Sequence, residues 1–454
     1  MSGSKKQGEL KRTLGLPLLV GFGLAYLAPT VVFNYYGIWT AESGTGGHYP
    51  LALIITTVLM AFTGLSYTFM VKEIPIAGSV YAYANKSINP HIGFIAGWIM
   101  LLDYILMPMA GMLLLGIYGH EYFPMIPAWL IVVVVAAICA ILNILGAKTS
   151  SIVDTVIIAA QLIFTALTII VCIVYVCGGG GSGSIFSGTA IYNPETFDFS
   201  TLMHASAILC LSFVGFDAVT TMVEEVKNPD KTMGKAIMLI VIGAGILFFI
   251  TAYVMNIAWP EGIYEIQDPD TGVFEFYPAI GYAWMADVFF VVDNCASFIC
   301  SLAAVGAGSR ILLGMGRDNL LPKQVFGHIS PKFNTPIYNI LLTTVIPMII
   351  GMIFVNNLMG ALDLVSFGVI IGFIIVNLSV FILFWMKKKE RGGSAVVKYV
   401  ICPWIGVLFL AFAFIYVGTG AKILGACWTA LGIIYLAIKT RGFKQLPPEM
   451  TFEE

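Results

Sequence analysis

The chain has 454 residues, of which 59% are hydrophobic and only 11% charged, with a formal net charge of -2. Ordinary soluble domains carry roughly 25% charged residues, so this composition excludes a water-soluble globule and calls for lipid to cover the apolar surface. Dispersed Lys and Arg give no basis for nucleic-acid binding, and five histidines without an H-E-x-x-H pattern give none for a metallohydrolase.

Apolar runs of about 20 residues are long enough to cross a bilayer as helices. They predict twelve spans, near 14–40, 51–71, 92–118, 128–146, 152–177, 200–222, 236–258, 285–314, 337–355, 361–386, 399–418 and 423–439. The fold class expected is an all-α polytopic membrane protein. The first span follows Lys5, Lys6, Lys11 and Arg12 and exceeds a signal-peptide h-region, so no cleaved leader is expected. A cytoplasmic N-terminus puts every Lys and Arg except Lys422 on the cytoplasmic side, as the positive-inside rule requires. Both termini are then cytoplasmic, in the inner (plasma) membrane. The segment 259–284 becomes an outer loop with Glu261, Glu265, Asp268, Asp270 and Glu275 and no basic residue. It could concentrate cations, or be acidic only because positive charge is excluded there. The eight cysteines fall in or at the ends of spans and read as small apolar packing groups.

Spans 1 and 2 precede spans 6 and 7 by nearly the same number of residues, which divides the chain into two five-helix units. Five is odd, so the second unit enters from the opposite side as an inverted repeat, an arrangement that marks secondary transporters. The divisions expected are a cytoplasmic tail at 1–13, a first repeat at 14–177 and an extracellular linker at 178–199. A second repeat follows at 200–386, then accessory spans at 387–441 and a cytoplasmic tail at 442–454.

The first helix of each repeat contains an interruption. Span 1 reads "GFGLAYLAPTVVFNYYG", where Pro29 lacks an amide donor and clashes with the carbonyl of Ala25. Span 6 carries Gly215 at the matching depth, followed by Asp217. A carboxylate at helix centre costs roughly 2.5–3.5 kcal/mol by insertion scales, so Asp217 and Asp103 in span 3 each need an explanation. Asp217 could cap the second half-helix by accepting from the amides of residues 219 and 220, or supply charge to a cavity. Asp103 could be satisfied by Tyr104 or a neighbouring helix, carry a proton, or face an ammonium group. Phe213 and Phe216 could be core aromatics or cover an amine by cation–π contact. Asp293 in span 8 is read as nearer the outer vestibule. Glu224 and Glu225 could pair with Lys227 or Lys231, or form a gate.

Three ordered stretches carry a family resemblance. "SFVGFDAVTTMVEEVKNP" (212–229) resembles the sixth-helix signature of amino acid–polyamine–organocation (APC) permeases, "EIPIAGSVYAYANKSINPHIGFIAGW" (73–98) their helix 2–3 region, and "SRILLGMGRDNLLPKQVFGHISPKFNTP" (309–336) their helix 8–9 loop. "GLAYLAPTVVF", "KSINPHIGF" and "MGRDN" are most similar to bacterial putrescine importers. The resemblance implies a LeuT-type five-plus-five inverted repeat with twelve transmembrane helices, discontinuous helices 1 and 6, and alternating access. It implies substrate binding by Tyr26, Leu27, Ala28, Thr30, Asn34, Asp103, Phe213, Gly215, Phe216, Asp217 and Ser301, with breaks at Pro29 and Gly215.

Three departures sharpen this. Pro29, Thr30 and Val31 stand where amino-acid permeases have a carboxylate-binding Gly-x-Gly, which favours an amine without a carboxylate. Gln161 stands where proton-coupled members often have Lys, leaving Asp103 or Asp217 to carry a proton. Asn34 replaces an Asp of the putrescine-importer pattern and removes one anionic partner of a diamine. The function expected is proton-coupled import of a small cationic amine such as putrescine. The alternative is an amino-acid permease or amino acid/amine exchanger. No enzyme activity, cofactor or metal is expected; the partners are an amine or amino-acid substrate, protons and membrane lipid.

Overall fold

A computed structural model describes residues 15–75, 79–146, 151–217, 219–220, 223 and 226–447. The side chains of residues 22, 25, 26, 79, 151, 152 and 230 lie outside the description. The described residues form helices and connecting segments. The first interrupted span comprises α1 (Leu16–Tyr26), α2 (Val31–Asn34) and α3 (Tyr36–Thr40). Then follow α4 (Tyr49–Glu73), α5 (Ser79–Ser87), α6 (Pro90–Tyr122), α7 (Ala128–Ile144) and α8 (Ser151–Cys177). The second interrupted span begins with α9 (Phe199–Leu209), tightens into a 3₁₀ turn over Cys210–Phe213 and leads to α10 (Pro229–Ala258). The acidic 259–284 segment carries α11 (Gly262–Glu265) and α12 (Gly272–Ala279). The remaining helices are α13 (Trp284–Arg317), α14 (Lys323–Phe326), α15 (Ile337–Ile353), α16 (Leu358–Val380), α17 (Gly393–Val396), α18 (Cys402–Tyr416) and α19 (Thr419–Lys439).

Each expected span contains described helix. Eight described helices are long and apolar enough to cross a membrane, and α7, Phe199–Phe213 and α15 are shorter apolar helices. With the broken α1–α3 this is a polytopic α-helical membrane fold.

A repeat of the five-helix unit is visible in which helices touch. Helix α4 packs most extensively on α10, and α6 next most extensively on α13, pairing each helix with its counterpart in the other unit. Contacts between non-equivalent helices also occur in exchanged pairs: α6 on α15 matches α13 on α7, and α8 on α10 matches α16 on α4. A two-fold axis relating the units produces this reciprocity, as it does in any isologous interface.

In lipid, helices associate through close packing rather than water exclusion, so small residues sit where they cross. Gly111 of α6 is such a point, because a Cβ there would lie 2.3 Å from Ser301 Oγ and 2.7 Å from the Ser297 carbonyl oxygen. Gly245 of α10 likewise meets Thr57 of α4, with a Cβ only 2.2 Å from the threonine methyl.

Candidate functional site

Both interrupted helices unwind over a few residues. Leu27 N–H still donates to Gly23 O at 3.2 Å, after which Ala28 turns to a left-handed φ of +47°. Pro29 has no amide to continue the ladder. Helical bonding resumes when Val31 N–H reaches Ala28 O at 2.9 Å. In the second unit, Val214 is extended with ψ of 126° and Gly215 adopts φ of +121°. That φ is one an L side chain rarely tolerates, so the glycine makes the break possible.

Beside these breaks lies a cavity of about 130 Å³. Its walls come from α1–α2, from Leu211 and Val214 before the second break, and from one face each of α6, α13 and α16. Met107, Ala110, Gly111 and Leu114 line it from α6, and Leu358, Leu362 and Val365 from α16. No Lys, Arg or His is among the lining residues, and the one ionisable carboxylate is Asp293.

Asp293 is 1% exposed. It lies nine residues into α13, about 14 Å along the helix axis. The Ser297 hydroxyl donates to Asp293 Oδ2 at 3.4 Å, and the Thr30 and Asn34 side chains lie beside the same carboxylate. All these partners are neutral. Asn34 is oriented by Tyr118, whose hydroxyl donates to Asn34 Oδ1 at 3.3 Å and leaves the amide NH₂ for the carboxylate. Thr30 is held by α8: its amide and hydroxyl both donate to Gln161 Oε1, at 3.3 and 2.9 Å. A neutral carboxamide thus ties the unwound segment to a neighbouring helix.

Of the residues expected at the site, Leu27, Ala28, Thr30 and Asn34 line the cavity. Tyr26 ends α1, and its side chain lies outside the described residues. Pro29 is buried at the break. Phe213 and Phe216 are fully buried away from the lining: Phe213 packs on Phe248 at 5.7 Å, and Phe216 on Tyr67 and Phe373 at 5.2 and 5.6 Å. Gly215 lies just beyond the lining residue Val214, and its amide donates to Asp217 Oδ1 at 3.1 Å. Asp217 therefore accepts from the residue two before it and braces the break itself. Ser301 packs at the α6–α13 crossing, donating to the Ser297 and Pro108 carbonyls at 2.9 and 3.4 Å. Asp103 lies one turn before the lining residue Met107. Glu224 and Glu225 lie outside the described residues.

Asp293, expected nearer the outer vestibule, is buried in the cavity wall. Spacing was the available signal. Asp293, Ala296, Ser297 and Cys300 recur at i, i+3, i+4 and i+7, one polar-and-small face of an otherwise apolar helix.

Unwound helices from two inverted units, meeting at a buried cavity with one fixed charge, define a broken-helix membrane transporter. Residues 19–434 match the Amino acid permease family, and the chain belongs to that family. It is 33% identical to the low-affinity putrescine importer PlaP of Escherichia coli K12, over 97% of this chain and 96% of that protein. It is 27% identical to a methylthioribose transporter of Bacillus subtilis, over 92% and 94% of the two chains. Identity to the branched-chain amino acid permease BcaP of Bacillus subtilis is 23%, over 96% and 95%.

Proposed function

We propose that this chain imports a small organic amine of the putrescine type by alternating access, driven by the proton gradient. The observation that carries the reading is Asp293, a buried carboxylate on a cavity wall whose partners are all neutral. An unpaired buried charge is expensive, so such sites hold a counter-ion or bind one. A substrate ammonium would supply that charge.

An α-amino acid needs several backbone donors for its carboxylate, and most of those described at the breaks are committed. The amides of Leu27, Thr30, Val31, Val214, Gly215 and Phe216 all donate within the protein, and Pro29 has none. This favours an amine over an amino acid, in keeping with the putrescine importer among the relatives. Cys300 and the apolar residues of α6 and α16 would cover the hydrocarbon part. The protein would sit in the inner membrane with both termini cytoplasmic, which makes the 259–284 end extracellular. The two repeats would span 14–177 and 200–386, with accessory spans at 387–441.

Purified protein in proteoliposomes tests the reading, given labelled putrescine, tyramine and a panel of amino acids under an inward proton gradient, with and without sodium. Amine accumulation that collapses with a protonophore is expected. Accumulation of an amino acid but no amine would overturn the substrate class, and a sodium requirement would overturn the driving ion.

A further inference from the structure

A second acidic site lies outside the cavity. Asp103 of α6 is on the same helix face as Met107, Ala110, Gly111 and Leu114, one turn below the last lining residue toward the proposed cytoplasmic side. It is 5% exposed, and its Oδ1 has no hydrogen-bond partner among the described residues. Gly368 of α16 closes over it, where a Cβ would come within 3.1 Å of Asp103 Cβ. Asp217, half-buried in the second break, is near enough for the two carboxylates to feel each other's charge. The Tyr83 hydroxyl of α5, fully buried, lies near Thr220 and Asp217. Arg310 on α13 is exposed and makes no described ion pair with Asp103.

Two occupants could supply positive charge here: the far end of a substrate held at Asp293, or a proton. Distance decides between them. Gly308 of α13 packs on the Tyr104 carbonyl, so Asp103 is level with that turn. Asp293 lies fifteen residues earlier on α13, about 22 Å along the axis at 1.5 Å per residue. A four-carbon diamine falls far short of that span. Asp103 is buried and Asp217 half-buried, and like charges close together in such a place favour a proton on one of them.

We infer that Asp103, in concert with Asp217, forms a proton site separate from the amine cavity and carries the coupling proton. The inference rests on the amine-import reading. Asp217 accepts from the Gly215 amide, so the proton site is wired to the second helix break: a change in the charge of the pair alters the bond that braces it. Proton loading from outside and release inside would thus be linked to opening of α9–α10 around the substrate.

The test separates exchange from driven uptake in proteoliposomes containing a pH-sensitive dye. Wild-type protein should exchange internal for external amine, accumulate it under an inward proton gradient, and acidify the lumen as amine enters. Asp103→Asn should exchange within about twofold of wild type, yet lose gradient-driven accumulation and acidification. Asp103→Glu should restore both with a displaced pH profile, and this variant also serves if the Asn variant does not fold. Full accumulation and acidification by Asp103→Asn would overturn the inference. So would loss of exchange in both variants while their thermal stability matches wild type, since that assigns Asp103 to structure or binding. A defect confined to two-ended amines, with one-ended amines still driven, would reassign it to the substrate's far ammonium. If wild-type protein neither exchanges nor accumulates amine, the amine-import reading fails before any variant is made.

Discussion

Substituting Asp293 by Asn removes a charge while keeping nearly the same volume and one acceptor oxygen. The Ser297 and Thr30 hydroxyl oxygens can accept from the new amide NH₂, so the neutral shell can still be satisfied in the variant. What disappears is the charge assistance to a bound ammonium. Removing one member of a buried, hydrogen-bonded charge pair costs about 2–5 kcal/mol of binding. A central value of about 3 kcal/mol corresponds to a Kd weakened on the order of 100-fold. The empty protein should respond in the opposite direction, because a buried carboxylate without a counter-ion is replaced by a neutral group. Thermal unfolding of purified wild type and Asp293→Asn, with and without saturating amine, reads both effects. The variant should match or exceed wild type without amine and gain little from adding it. A variant that unfolds at much lower temperature without amine, but keeps a wild-type shift with it, would refute the assignment and make Asp293 a structural group.

Gly215→Ala forces a side chain onto φ of +121° and should lower stability by about 1–3 kcal/mol and abolish uptake, read by thermal unfolding and transport. Cys300 lines the cavity, so a small thiol-reactive reagent should block uptake, putrescine should protect, and Cys300→Ser should be insensitive. Gly111→Ala places a methyl against Ser301 Oγ and the Ser297 carbonyl and should cost about 1–3 kcal/mol by overpacking, seen as a lower unfolding temperature. Asp270, outside the membrane spans, accepts from the Leu358 amide at 3.2 Å, and burial pushes its carboxyl above the usual range. A raised folded-state pKa makes its contribution fully present below the ordinary Asp pKa and lost as pH rises through the raised value. Asp270→Asn should therefore raise the unfolding temperature at neutral pH, and the gain should vanish on acidification.

Much of the fold was legible because lipid enforces simple rules. Uninterrupted apolar runs become helices, and the matching interruptions at Pro29 and Gly215 follow from what those two residues do to any backbone. The family resemblance implied the unwound positions Leu27, Ala28 and Thr30, and the break at Pro29 supplies the physical reason, because a break exposes its own neighbours. Side-chain direction was less legible. Phe213 and Phe216 flank the break in sequence but turn into aromatic packing against Phe248, Tyr67 and Phe373, partners that only tertiary structure supplies. That Asp293 lines the cavity was not legible, because it depends on how α13 crosses α6 at Gly111. The tie from Gln161 to Thr30 joins residues 131 apart, and no local pattern encodes it.

The central claim is that the cavity takes an amine and has no place for an α-carboxylate. Putrescine and ornithine differ by that carboxylate alone, so their binding to purified protein, measured side by side by calorimetry, tests it most directly. The account predicts saturable putrescine binding that Asp293→Asn weakens, with ornithine at least 100-fold weaker. Ornithine binding as tightly as putrescine, or more tightly, would contradict it.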